Sequence, residues 1–384
     1  MPMSKTVYLD NVSSSPVHPE VQKTLFDLLP IYYANSDALH TAGTDIQFMI
    51  SRSRQSIADI FRVEPNEIIF TSGATEANNT IIKGIAFANT AKGKHLITTK
   101  VEHSSVLASF EQLEHLFGFE VTYLDVDSEG RVSAEDVLKA LRPDTTLVSV
   151  MYVNNEVGTI MPIKAISEIV KKNSRAYFHV DCVQALAKID FDLSGIDCAS
   201  FSMHKINGLK GSGLLFRRRH VNMAPLITGG QQEMGYRGGT SNAISHILVA
   251  KTMRLALDNQ TKTHDTVAEL NQYLRASLNS IEGIIMNSPL EDVSPYIVNF
   301  SCMSVTSEVM MNLLNENGIY VSAQSTCASK SSHPSHVLAA MGVSGARLNS
   351  TIRIGLSSTT TKEEIELTCS IIKKGLQQYG KFQR

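Results

Sequence analysis

Three short segments bring together residue types that suit one kind of chemistry. In Ser202-Met203-His204-Lys205-Ile206-Asn207-Gly208, a lysine follows a β-rich run and precedes a glycine-containing turn. A lysine at a strand end in a partly desolvated cleft can act as an amine nucleophile. Alone, Lys205 reads better as a solvated surface lysine, the ordinary state of this residue. Asp181 closes the apolar run Tyr177-Phe178-His179-Val180. Aspartate is disfavoured inside strands, so it either makes a turn or faces the crevice where α/β sheets hold ligands; taken singly, the turn is the better reading. In Ile68-Ile69-Phe70-Thr71-Ser72-Gly73-Ala74-Thr75, a strand run leads through Gly73 into the start of a helix. Backbone N–H groups and the Thr75 hydroxyl there form a ready anion site, although a simple helix cap accounts for the same residues.

The three gain weight from one another. An anion cradle, an amine and a carboxylate on strand ends of one domain match the needs of pyridoxal 5′-phosphate: a Schiff-base lysine, an acid for the pyridinium nitrogen and a phosphate site. No G-x-G-x-x-G follows a strand run, and Gly208-Leu209-Lys210-Gly211-Ser212-Gly213 lacks the trailing Lys-Ser/Thr of a P-loop.

Elements of a definite kind must hold these groups. From about Val63 to Phe216, β-rich runs at 67–70, 95–99, 121–126, 146–153, 177–181, 198–203 and 213–218 alternate with helical patterns, among them 104–117, 133–141 and 163–171. Such alternation indicates an α/β domain with a mostly parallel sheet. After Gly229 comes a glycine-rich segment, 229–242, and then a long helical pattern from about Ala243 to Ile281. A smaller α+β unit follows: strands at 297–302, 319–323 and 351–356, and helices at 307–317 and 362–379.

Composition narrows the class of partner. The 384 residues carry 35 Lys+Arg against 37 Asp+Glu, a formal net charge of −2, which argues against a polyanion partner. With 43% apolar and 19% charged residues the chain has material for a large core. No apolar run approaches the roughly 18 residues of a membrane span, and the start lacks a secretory h-region, so a cytoplasmic protein without membrane contact is expected. The five cysteines include no C-x-x-C pair, which fits neither a disulfide framework nor a zinc site. Cys182, Cys198, Cys302 and Cys369 have apolar or small neighbours and read as buried. Cys327 stands in the small, polar stretch 322–334, where an exposed and reactive thiol is expected.

Nine segments in order, at 8–11, 71–79, 102–106, 153–160, 179–184, 204–211, 229–240, 325–338 and 350–356, together resemble the cysteine desulfurases of the NifS/IscS group, from about residue 8 to about residue 370. These are class V pyridoxal-phosphate enzymes of fold type I. The resemblance implies a large α/β domain, 18–258, with a mainly parallel seven-stranded sheet, and a small α+β domain, 1–17 with 259–384. Lys205 matches the Schiff-base lysine and Asp181 the acid on the pyridinium nitrogen. Gln184 matches the partner of the cofactor's phenolic oxygen, and His103 the residue that stacks on the ring and moves protons. Phosphate contacts fall to Thr75, Ser202, His204 and the backbone near Ala74. Thr240 matches a residue reaching the other subunit's phosphate, which implies a homodimer. Arg353, with Asn155 and Asn11, stands where the substrate carboxylate is held, Asn155 lying also beside the cofactor. No metal is implied.

The implied reaction converts L-cysteine to L-alanine, with the sulfur left as a persulfide on Cys327. An acceptor protein, such as an iron–sulfur scaffold or a tRNA-thiolation enzyme, then takes the sulfur, with no direct nucleic-acid contact. The chain departs from the family pattern at Val12-Ser13-Ser14-Ser15, Asn35-Ser36, Leu209 and Ser357-Ser358-Thr359-Thr360, which bears on pocket volume and the entrance. Two rival readings stand beside this one. The first is another class V enzyme, a selenocysteine lyase or a small-amino-acid aminotransferase, and transamination needs no thiol. The second is a low-activity paralogue acting as a partner-binding scaffold.

Overall fold

Of the seven strands between residues 68 and 217, all but the edge strand Glu120–Leu124 are buried almost throughout, and Thr145–Met151 has no exposed residue. Runs of this kind belong to a sheet covered on both faces, because alternation disappears when neither side meets water. The computed structural model describes residues 6–323 and 334–379. In chain order its strands are β1 (Val7–Tyr8), β2 (Ile68–Thr71), β3 (His95–Thr99), β4 (Glu120–Leu124), β5 (Thr145–Met151), β6 (Tyr177–Asp181), β7 (Cys198–Ser202) and β8 (Gly213–Arg217), followed by β9 (Ile284–Met286), β10 (Ile297–Cys302), β11 (Ile319–Tyr320) and β12 (Thr351–Gly355).

The large sheet has the order β2-β8-β7-β6-β5-β3-β4. Its pairs are parallel except the two made by β8, which runs against β2 and β7. The carboxyl ends of the other six therefore share one edge, and the segments after β2, β5, β6 and β7 open there. The alternation read from sequence is what builds this α/β fold, with strand ends placed within two residues of the expected ones.

A glycine contact brings the phosphate-candidate turn to that edge. A Cβ on Gly213 would lie 2.5 Å from the Gly73 Cα and 2.6 Å from the Phe201 carbonyl oxygen. Gly73 has φ 153 and serves as N-cap of the helix Ala74–Ala88. The helix buries Ala77, Ile81, Ile82 and Ile85, a spacing that keeps one stripe on the sheet.

The second sheet, β12-β10-β9, is antiparallel, with Asn299 opposite Arg353, and β1 pairs with β11. Two expectations need correction. The pattern from Ala243 to Ile281 is two helices, Ala243–Asp258 and Gln260–Asn279, broken at Asn259 (φ −112, ψ 7). The Asn259 side chain bonds back to the Leu255 carbonyl at 3.3 Å, the local competition that makes asparagine a poor helix interior. The run 319–323 pairs as a strand only through Ile319–Tyr320; farther on, Ser322 bridges Arg353. The helices Pro19–Leu28 and Thr41–Phe61 were not assigned from sequence. Among the described residues no helix is long and apolar enough to cross a membrane.

One buried ion pair fastens the glycine-rich segment. Both guanidinium nitrogens of Arg54 reach Glu233, at 2.7 and 2.8 Å, and Glu233 also accepts from the Phe70 amide at 2.8 Å. Glu233 and Met234 sit in the left-handed region (φ 47 and 58), a conformation these bonds must hold. Removing one partner leaves a buried charge unpaired, so Arg54→Met should lower stability by about 3 kcal/mol. Urea unfolding of the cofactor-free protein checks this; a loss below about 1 kcal/mol would show the pair to be an ordinary surface bridge.

Candidate active site

The shared edge of the large sheet opens into a cavity of about 580 Å³, walled on the far side by Tyr8, Asp10, Val12 and Ser13, with Arg353 reaching it from β12. Ala74, Thr75, His103, Asn155, Asp181, Gln184, Ser202, His204, Lys205 and Arg353 all line it. Asn11 does not, and this corrects the sequence expectation. It is 7% exposed, lines a separate cavity, and its carboxamide donates to the carbonyls of Gly355 (3.0 Å) and Tyr8 (3.2 Å). Its nitrogen is committed to holding two strand ends together. Thr240 is exposed and also lies outside the cavity wall of its own chain. Cys327 lies outside the described residues.

Asp181 is fixed where β6 ends. One carboxylate oxygen accepts from Asn78 at 2.9 Å and the other from the Val183 amide at 3.0 Å. The bond to the Val183 amide is the turn read from sequence, and Asp181 also lines the cavity. Asn78 was missed from sequence, although it lies one helical turn after Thr75 and so on the same face of Ala74–Ala88. Lys205 ends the short 3₁₀ turn after β7, and its amine donates to the carbonyls of Val12 (2.9 Å) and Ser13 (2.7 Å).

His103 caps the helix Ser104–Phe117: its Nδ1 accepts from the Ser105 amide at 3.2 Å. Burial lowers its proton affinity from the usual 6.5, with Asp181 opposing the shift and Lys205 adding to it. The neutral ring therefore carries its hydrogen on Nε2. Burial also lowers His204 to about 4, with Lys205 and Lys210 assisting. Glu102 is pushed up to about 8 by burial, against the pull of its bonds from the Met151 amide and Thr99. At neutral pH two histidines and one carboxyl around the cavity are thus mainly uncharged.

Arg353 is 1% exposed. It donates to the Asn155 carbonyl (2.8 Å), the Ser13 hydroxyl (2.6 Å) and, at 3.3 Å, the Asp10 carboxylate. Its Nε has no partner among the described residues. The four described cysteines are all buried. Burial raises each thiol, Cys302 to about 12 and Cys369 to about 11, so none is a ready thiolate.

These groups fit pyridoxal phosphate. The first turn of Ala74–Ala88 has a glycine as N-cap, which offers no side chain to satisfy its N–H groups, and Thr75, Ser202 and His204 face the same cavity. An amine and a carboxylate stand on adjacent strand ends beside it. A lysine after β7, an acid closing β6 and an anion site after β2 define a pyridoxal-phosphate enzyme of the class V aminotransferase type, and the model of that family, Aminotransferase class-V, matches residues 7–367.

Relatives narrow this further. The chain is 40% identical over 379 residues to the cysteine desulfurase IscS of Dictyoglomus turgidum, covering 98% of this chain and 96% of that one. It is 38% identical over 377 residues to the IscS of Methanosarcina thermophila, covering 98% and 93%. A solved NifS-like protein superimposes with a TM-score of 0.91 at 35% identity, covering 97% of this chain and 99% of that one. A structure described as SspA in complex with cysteine gives 0.81 at 33%, covering 93% and 100%. The chain belongs to the IscS/NifS cysteine desulfurases, within the class V aminotransferase family.

Because His103 titrates below 6.5, it stays neutral through the physiological range and gains a proton only in more acid solution. If His103 in its neutral form moves a proton in the reaction, kcat/KM should be flat across pH 7 and the acid limb that His103→Gln removes should lie below pH 6.5. An acid limb centred above pH 7 that disappears in His103→Gln would contradict a neutral His103.

Proposed function

We propose that this cavity is where the enzyme desulfurates L-cysteine, with the residues above in the roles their positions suit. The observation that carries the reading is convergence: Lys205, Asp181, His103 and the anion cradle line one cavity with a buried arginine from the second sheet. The bound cofactor supplies an electron sink for the bond broken at the substrate's Cα. Asp181, held by Asn78 and the Val183 amide, would keep a proton on the cofactor's pyridine nitrogen. The first turn of Ala74–Ala88, with Thr75, Ser202 and a neutral His204, would hold the phosphate. Gln184 would donate to the cofactor's phenolic oxygen. Arg353 binds the substrate carboxylate, and its planar fork suits two parallel bonds.

The Lys205 amine, released from the carbonyls of Val12 and Ser13, takes the proton from Cα. His103, neutral and lining the same cavity, would relay protons near the sulfur. Cys327, its thiol proton given up, attacks the substrate sulfur through Sγ; the new S–S bond forms as the C–S bond breaks, Cβ gains a proton in place of the one the thiol lost, and Cα regains its own from Lys205, so that the product leaves as L-alanine. The persulfide passes to an acceptor protein, of the iron–sulfur scaffold or tRNA-thiolation kind. That one structural relative is described with cysteine bound supports the substrate.

The working unit we infer is a homodimer in the cytoplasm, each subunit made of a domain over 18–258 and one over 1–17 with 259–384. Phe26, Ile31, Tyr33, Leu39 and Phe48 are 60–97% exposed within one stretch of the chain, an apolar surface larger than single scattered residues explain. Thr240, exposed on the glycine-rich segment, would then serve the phosphate of the opposite subunit.

The deciding experiment incubates the enzyme with L-cysteine and a reducing thiol and measures sulfide and alanine in equal amounts. Cys327→Ser should lose sulfide release while keeping the near-visible absorbance of the bound cofactor. Equal release by both forms would falsify the persulfide step, and pyruvate with ammonia in place of alanine would mean β-elimination. Arg353→Lys should raise KM for L-cysteine at least tenfold, since a point charge replaces the fork; an unchanged KM places the carboxylate elsewhere.

A further inference from the structure

Lys188 is a cation where packing alone would favour an apolar side chain. It is 6% exposed, and among the described residues no carboxylate pairs with it. Its ammonium lies 5.7 Å from the centre of the Tyr296 ring. The charged groups that act on it are Lys205 and Arg353, both cations, and together with burial they lower its proton affinity to about 7. Burying an ammonium in such company costs several kcal/mol unless something specific needs it.

Its one hydrogen-bond partner among the described residues is the Oε1 of Gln184, at 2.6 Å. The turn between them carries Ala187 at φ 59, a left-handed conformation that alanine adopts at a cost. An amide side chain can present either end, and here both ends are assigned by partners of fixed character. Protonated Lys188 can only donate, so it takes Oε1. The Val12 carbonyl can only accept, and it takes Nε2 at 3.2 Å. The remaining N–H of Gln184, a residue that lines the active-site cavity, is left for a ligand there.

We propose that Lys188 is a positioning residue: from behind the site it pins the Gln184 carboxamide with its N–H side toward the cofactor ring and polarises that amide into a stronger donor. This rests on the reading that Gln184 meets the cofactor's phenolic oxygen. Lys188 lines the separate cavity that also borders Lys205; its hydrogen-bonded route to the active-site cavity runs through Gln184, while its charge also acts on Lys205 through space. A donor chain of this kind strengthens each bond in it. A cation and a polarised donor beside the phenolic oxygen disfavour protonation of the chromophore formed with Lys205.

The test is the pH titration of the near-visible absorbance of the holoenzyme in wild type, Lys188→Met, Gln184→Ala and the double variant. Lys188→Met should raise the midpoint by about one pH unit, a tenfold change in proton affinity. In the Gln184→Ala background the same substitution should produce less than half that shift. Lys188→Gln, which keeps a neutral donor, should fall between wild type and Lys188→Met, and it carries the same cycle if the methionine variant does not fold. An unmoved midpoint in Lys188→Met overturns the inference, as does an equal shift in both backgrounds. If Gln184→Ala binds cofactor yet leaves the midpoint unmoved, the placement of Gln184 against the ring fails first, and Lys188's role fails with it.

Discussion

The site depends on keeping a buried arginine partnered. Arg353 sits on β12 of the small sheet with almost no exposure, and a cation there is tolerated only if its donors are met. Its partners come from elsewhere: the Asn155 carbonyl from the loop after β5 of the large sheet, and Ser13 and Asp10 from the N-terminal segment. Asp10 in turn accepts from Ser13 and Ser322, both at 2.7 Å. One guanidinium therefore gathers the small sheet, the large sheet and the chain's beginning around one cavity. The cost of leaving it unpaired holds that geometry in place.

A second constraint is charge. Lys205, Arg353, Lys188 and Lys210 crowd one region, and further positive charge would oppose all of them. Burial answers this by holding His103 and His204 uncharged at neutral pH. It acts in the opposite sense on Glu102, kept mainly protonated so that it adds no negative charge beside Asp181. The same desolvation silences four thiols. Burial is thus a selector: it decides which ionisable groups near the site can take part at neutral pH.

Much of this was legible in the chain because strand ends are legible. The β-rich runs at 95–99, 177–181 and 297–302 coincide with β3, β6 and β10, and an acid or lysine just beyond such a run is placed by the sheet itself. What escaped depends on contacts across long sequence separations. Asn11 resembles a substrate ligand by motif, yet its nitrogen is taken by Gly355, more than three hundred residues away. Asn78 and Lys188 carry no signal of their own; each matters through the orientation of one neighbour, Asp181 or Gln184. The break at Asn259 did leave a mark in the sequence, since residues 258–266 contain no apolar side chain and the helical pattern lapses there.

The departures at 12–15 have a physical explanation in which atoms the site uses. Val12 contributes its carbonyl oxygen, which accepts from both Gln184 and Lys205, and Ser13 contributes a carbonyl to Lys205. Ser15 accepts through its hydroxyl from the Asn207 amide and donates to the His204 carbonyl, stitching the segment to the turn that carries the lysine. A backbone carbonyl is supplied by any residue, so the lysine's resting place does not depend on the side chain at Val12, which is 1% exposed and serves the core instead. At Ser13 it is the side chain that the wall uses: its hydroxyl bridges Arg353 and Asp10, occupying a guanidinium donor that an alanine would leave without that partner. Val12 and Ser13 thus serve the same turn in different ways, the one through its backbone carbonyl and the other through its side chain as well.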